Sequence, residues 1–148
     1  MNHLIKDSLV EGILIGTDKH ESSLKVVTQI SEPKELLILT SSLSFFSLSD
    51  LLYIASGVRD QEGIGIDGTG FRYPTDELDP DEEPLEGVQV YNPLGEVQIS
   101  IPAFERLMLR YFSTLISEAE QHHNPVVDQH WWNDFVRMTK IIEQRWLI

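Results

Sequence analysis

The sequence predicts an α+β domain: an antiparallel sheet built from an N-terminal meander and hairpins, packed against two C-terminal antiparallel helices. Three observations carry that expectation. Short segments rich in Val and Ile, divided by polar turns, recur from Val10 onward. Two alternating pairs of segments flank the turn sequences Asp67-Gly68 and Asn92-Pro93-Leu94-Gly95. From Phe104 to Trp146, apolar residues recur at spacings of three and four. With 148 residues, no internal repeat and no dividing linker, 1–148 reads as one domain.

The meander is expected from strands at Val10–Ile15, Leu24–Ile30 and Glu35–Thr40. Thr17–Ser23 and Ser31-Glu32-Pro33-Lys34 supply the turns. Ser47 to Asp50 can cap a short helix over residues 49–56, which Gly57 would end. Asp67-Gly68 then closes a hairpin over residues 62–73, because that turn needs positive φ at both central positions. Ile64 and Ile66 alternate on one side of it, Phe71 and Tyr73 on the other. Four glycines, at 63, 65, 68 and 70, weaken its arms. Residues 74–86 hold seven carboxylates, no base and three prolines, the signature of an exposed acidic loop. A second hairpin follows, Gly87–Tyr91 with Glu96–Ile101.

The first C-terminal helix buries Phe104, Leu107, Met108, Tyr111, Phe112, Leu115, Ile116 and Ala119 over about five turns, with Pro102 in its first turn. The second follows a break at Asn124-Pro125. Its stripe is Trp131, Phe135, Met138, Ile142 and Trp146, which leaves Trp132 one step off the core face.

Composition narrows the function. The net charge is −13, so nucleic acid and anionic membrane would be repelled and a basic partner attracted. No cysteine is present, which removes disulfides, thiolate metal sites and thiol catalysis and fits a reducing, cytoplasmic address. The N-terminus has no basic segment followed by an apolar run, and no stretch of 18 apolar residues occurs.

The chemical motifs are weak. Gly63-Ile64-Gly65-Ile66-Asp67-Gly68 spells a dinucleotide fingerprint. However, Arg59-Asp60-Gln61-Glu62 before it is no buried strand, and Thr69-Gly70-Phe71 after it opens no helix. His122, His123, Asp128 and His130 are metal-ligand types at a corner between helices, but adjacent histidines point apart. Asp79, Asp81 and Glu83 imitate the start of a calcium loop. Pro84 stands where its sharp turn needs Gly, and Val90 where a bidentate carboxylate belongs. Neither a Gly-x-Ser-x-Gly elbow nor a His-Glu-x-x-His pair occurs, so no enzyme, metal or cofactor is expected.

The hairpin Val88-Gln89-Val90-Tyr91-Asn92-Pro93-Leu94-Gly95-Glu96-Val97-Gln98-Ile99-Ser100 runs straight into the Phe104-containing helix. With the chain's size and acidity, it resembles the small cytoplasmic immunity proteins of bacterial contact-dependent inhibition and polymorphic-toxin systems. The resemblance implies stoichiometric binding of a cognate toxin domain, often a basic nuclease, with its active site or substrate path blocked. It carries over no site residue.

Charge points to a region. Residues 59–86 hold ten acids and two bases, whereas 101–148 hold six acids and five bases. Asp76, Glu77, Asp79, Asp81, Glu82 and Glu83 are therefore the candidate partner-binding carboxylates, and Phe71, Tyr73 and Trp132 the candidate aromatic anchors. Two other readings stand beside an inhibitor. One is a small-molecule binder or enzyme with the glycine hairpin as a lid. The other is a bacterial adaptor or structural subunit.

Overall fold

The computed structural model describes residues 4–17, 26–28 and 34–147. In chain order the elements are α1 (Asp7–Glu11), β1 (Ile15–Thr17), β2 (Val26–Thr28), α2 (Lys34–Phe45), α3 (Leu51–Asp60), β3 (Ile64–Ile66), β4 (Thr69–Arg72), β5 (Val88–Asn92), β6 (Gly95–Ile99), α4 (Ile101–Gln121) and α5 (Trp132–Trp146). Single 3-10 turns precede α3 at Leu48–Asp50 and α5 at Pro125–Asp128. The class is α+β. β3-β4-β5-β6 form a four-stranded antiparallel sheet with the C-terminal helices packed on it, and β1 and β2 pair apart as a two-stranded ladder.

Both hairpins form where the turn chemistry puts them. Asp67 and Gly68 take φ of 49° and 83°. Ile64 therefore faces Phe71 and Ile66 faces Thr69. Directly opposed residues share a face. Ile64, Phe71, Val90 and Val97 consequently form one row on the core side, rather than falling on opposite sides of the hairpin. The outer face carries the rows Gly65-Gly70-Tyr91-Glu96 and Arg72-Gln89-Gln98. Gly65 and Gly70 leave space for a ring: a Cβ on either would come within 2.7 and 2.8 Å of the Tyr91 hydroxyl.

The N-terminal third departs from the expected meander. Val10 lies in α1, and the ladder strand starts only at Ile15. Of the second expected strand, Val26–Thr28 is β2, and its flanks lie outside the described residues, as do most of the turn at Thr17–Ser23 and residues 31–33. The third, Glu35–Thr40, is the helix α2. Periodicity cannot separate a buried strand from a buried helix over Leu36-Leu37-Ile38-Leu39. The deciding chemistry lies beyond the run. Ser41, Ser42 and Ser44 hydroxyls donate to the Leu37, Ile38 and Thr40 carbonyls, so polar residues sit in a packed helix with their hydroxyls satisfied. Asn92 locks α2 onto β5, donating to Ile38 O at 2.9 Å and Ser42 Oγ at 2.9 Å.

α3 starts later and runs further than expected. Asp50 accepts from the Ser47 amide and hydroxyl, and the helix ends at Gln61, whose φ is 54°. Gly57 does not stop it. It lies buried within α3, against Ile64 and Phe71.

α4 spans 21 residues, about six turns, with Ser100 capping Ala103 N and Pro102 in its first turn. Its buried residues match the predicted stripe except that Ile116 is half-buried and that Ala103 and Glu105 are buried as well. In α5 the buried residues are Trp132, Phe135, Thr139 and Ile142, while Trp131, Met138 and Trp146 are half-buried. The core face is thus rotated by one residue. The Thr139 hydroxyl donates to Phe135 O, so a polar residue is accommodated there. Arg145 and Trp146, ending α5, reach Glu105 near the start of α4, which makes the two helices antiparallel. Arg110 donates to the Val10, Glu11 and Ile13 carbonyls, closing the C-terminus of α1, and burial draws its pKa down.

Candidate functional site

The acidic loop is fastened to the sheet at three points. Asp76 Oδ2 accepts the Gly63 amide at 2.9 Å and the Tyr73 amide at 2.6 Å, tying the loop's start to the first hairpin. Arg72, on the outer face, donates to both Glu82 oxygens at 2.8 and 3.3 Å. That bond holds Glu82 below the usual carboxylate range, with the Asp79 amide adding to the effect, and raises Arg72. The Glu86 amide donates to Gln98 Oε1 at 2.8 Å.

Fastened this way, the loop lines an open groove of about 1020 Å³ at the β6 edge of the sheet, where Gln89, Glu96 and Gln98 of the outer face meet Glu35 at the start of α2. The N-terminal segment lines it too. Its Ile5 amide donates to Gln98 O at 2.9 Å, and Leu4 bridges Gln98 in parallel. Among the described residues the lining's charged groups are Glu35, Glu82, Glu83 and Glu96 against Lys6, and its apolar part includes Leu4, Leu9 and Leu85. Gln89, only 8% exposed, donates to Glu96 Oε2 at 3.1 Å and fixes that carboxylate.

The candidate residues divide sharply. Glu77, Asp79, Asp81 and Glu83 are exposed on the loop, and Glu83 lines the groove. Asp76 and Glu82 are occupied in holding the loop. Phe71, Tyr73 and Trp132 are 2%, 1% and 3% exposed, so none can anchor a partner. The first two share the sheet's core face with Phe104, at ring separations of 4.9 and 5.9 Å. Trp132 packs on Phe135 at 5.4 Å. The groove's other carboxylates were outside the expectation. The alternation Gln89, Tyr91 against Glu96, Gln98 already marked an outer face, but Glu35 belonged to a segment read as a strand.

A second polar constellation lies inside the molecule. Glu105, fully buried, accepts from Arg145 at 2.6 Å and Trp146 Nε1 at 2.9 Å on one oxygen. The other oxygen takes the Tyr73 hydroxyl at 2.7 Å and Gln61 Nε2 at 3.1 Å. Arg145 also donates to the Val58 and Arg59 carbonyls at the end of α3. Burial pushes the Tyr73 hydroxyl far up, and the bond to Glu105 acts in the same direction. This network joins the ends of β4 and α3 to α4 and α5; its carboxylate has no solvent exposure, whereas Arg145 keeps 30% of its side chain exposed. Between α2, the sheet and α4, an apolar gap of about 10 Å³ is about one water-sized sphere, a packing gap with no room for a ligand.

At the helix corner His122 Nε2 lies 3.2 Å from Glu118, and His123 takes a φ of 51°. Among the described residues no group of three His, Asp or Glu side chains converges as metal ligands would. No single described helix is long and apolar enough to cross a membrane. Fold and surface together define an α+β protein with an open acidic groove. Comparison of the chain with protein-family models, with curated proteins and with solved structures finds no match.

Proposed function

We propose that this chain is an acidic binding protein that neutralises a basic protein partner by forming a stoichiometric complex, in the manner of an immunity protein blocking a toxin domain. The observation that carries the reading is the open groove walled by the fastened acidic loop. A concave, solvent-open, carboxylate-lined surface suits the lysines and arginines with which a nuclease holds phosphate. It is a poor vessel for a small apolar ligand, which prefers an enclosed pocket. A net charge of −13 would speed encounter with such a partner. The lack of cysteine accords with a cytoplasmic setting.

The test is co-expression with the product of the neighbouring gene, followed by light scattering on the purified material. The expected result is a 1:1 complex in which the partner's activity is suppressed in proportion to the bound fraction. A partner that stays fully active in the presence of excess chain would overturn the reading.

A further inference from the structure

We infer that the groove takes one chain segment of a basic protein. Its lysine or arginine side chains would reach Glu35, Glu83 and Glu96, and an apolar side chain between them would rest on Leu9 and Leu85. This inference rests on the function proposed above and narrows it to one surface.

The carboxylates are not equivalent. Glu82 already has a cation, Arg72, at 2.8 Å. Among the described residues no cation pairs with Glu35, Glu83 or Glu96. Glu96 spends one oxygen on Gln89, which holds it in place, and keeps the other for a partner. Among the described residues Lys6 is the one base in the lining, set against the three carboxylates that have no cation. That charge selects the occupant. A second copy of this chain, at −13, would be repelled, as would nucleic acid or an anionic membrane.

Size and shape argue for a polypeptide rather than a metabolite. The volume, about 1020 Å³, lies just above the roughly 300–1,000 Å³ of small-ligand pockets. The groove is open to solvent rather than enclosed. Leu9, 39% exposed, offers apolar surface in the same lining as the carboxylates, a mixture that a segment with both basic and apolar side chains complements.

The test uses a fluorescein-labelled peptide of alternating lysine and leucine, with binding read by anisotropy. A groove triple, Glu35→Gln, Glu83→Gln and Glu96→Gln, is compared with a charge-matched triple elsewhere, Glu62→Gln, Glu120→Gln and Glu143→Gln. Thermal melts of both check folding. We expect the groove triple to weaken binding roughly tenfold and the matched triple less than about threefold. Leu85→Ser, which changes no charge, should also weaken binding. Equal weakening by the two triples, or no binding to the unsubstituted chain, overturns the groove assignment. The same triples are then tested against the neighbouring gene's product. A complex that survives the groove triple refutes the groove but keeps the inhibitor function, whereas no complex with the unsubstituted chain refutes the function itself.

Discussion

Arg145 donates a 2.6 Å hydrogen bond to Glu105, so the last turn of α5 is fixed to the first turns of α4 through a carboxylate with no solvent exposure. A buried carboxylate is tolerated only when paired and fully hydrogen-bonded, and Glu105 accepts four donors. Arg145 keeps 30% of its side chain exposed, so the loss is unequal between the partners. Glu105→Ala strands the Tyr73 hydroxyl, Gln61 and Trp146 and leaves Arg145 without its counter-charge. It should cost about 3–5 kcal/mol, measured as a fall in the urea midpoint. Arg145→Ala should cost a similar amount or less, because water can reach what it leaves. A cost below about 1 kcal/mol for Glu105→Ala would show that the network contributes little.

Tyr73 and Tyr111 give the molecule an alkaline limit. Burial raises both hydroxyls, and Glu105 raises Tyr73 further. The folded-state pKa exceeds the unfolded value of about 10 in each case. The folded chain therefore holds these protons more tightly than the unfolded one does. Their contribution is complete below about pH 10 and is lost as pH rises towards the folded values. Each tyrosine should steepen the loss by about 1.4 kcal/mol per pH unit. Urea midpoints taken at rising pH should fall, with the tyrosinate absorbance of these residues appearing as the chain unfolds. Tyr111→Phe should make that limb shallower. If it leaves the slope unchanged, Tyr111 ionises freely in the folded state.

Gly57 separates two explanations of a helical glycine. As a helix stop, Gly57→Ala would extend α3 and stabilise it by up to about 1 kcal/mol, the propensity difference. As a packing residue it must not grow. An added Cβ would stand 2.7 Å from Ile64 Cγ2 and 2.9 Å from Glu62 O, one of which is backbone. The substitution should therefore destabilise by about 1–3 kcal/mol despite the better propensity. The thermal midpoint decides the sign.

The legible parts of this fold were those with local chemistry. Asp67-Gly68 demanded its turn, and the stripe of α4 recorded its buried face almost residue by residue. The run at Leu36 to Leu39 was ambiguous, because a helix buried on most sides shows no clean period, and the serines that decide for helix look like loop residues until their hydroxyls are seen folded back. Glu105 is legible as well. The series 105, 108, 112, 115 and 119 is itself a three-four repeat, so a carboxylate stood on an apolar stripe in plain sequence. Its partners Arg145 and Trp146 are forty and forty-one residues away, and nothing local announces them. The groove was half legible. The loop's charge was plain, but its occupied members, Asp76 and Glu82, could be told from its open ones only by their distances to Gly63 and Arg72.

That division separates the loop's outer charges from the groove. Glu77, Asp79 and Asp81 are exposed and lie outside the groove lining, so they would sit at the rim of a complex. Rim charges attract a partner at a distance but are screened beyond about 8–10 Å at physiological salt, so they add little once the proteins have docked. Replacing all three by their amides should lower the on-rate for a basic partner about three- to tenfold at low salt and flatten its salt dependence, with the off-rate nearly unchanged. Folding stability should stay within about 0.5 kcal/mol, since none of the three side chains is packed and relieving their mutual repulsion offsets any lost contact. Glu82→Gln should behave differently. It weakens the clasp from Arg72, loosens the groove wall and should raise the off-rate as well. Surface-binding kinetics at two salt concentrations separate these outcomes. An unchanged on-rate and salt slope in the triple-amide protein would leave the outer loop as a solubilising spacer with no part in capture.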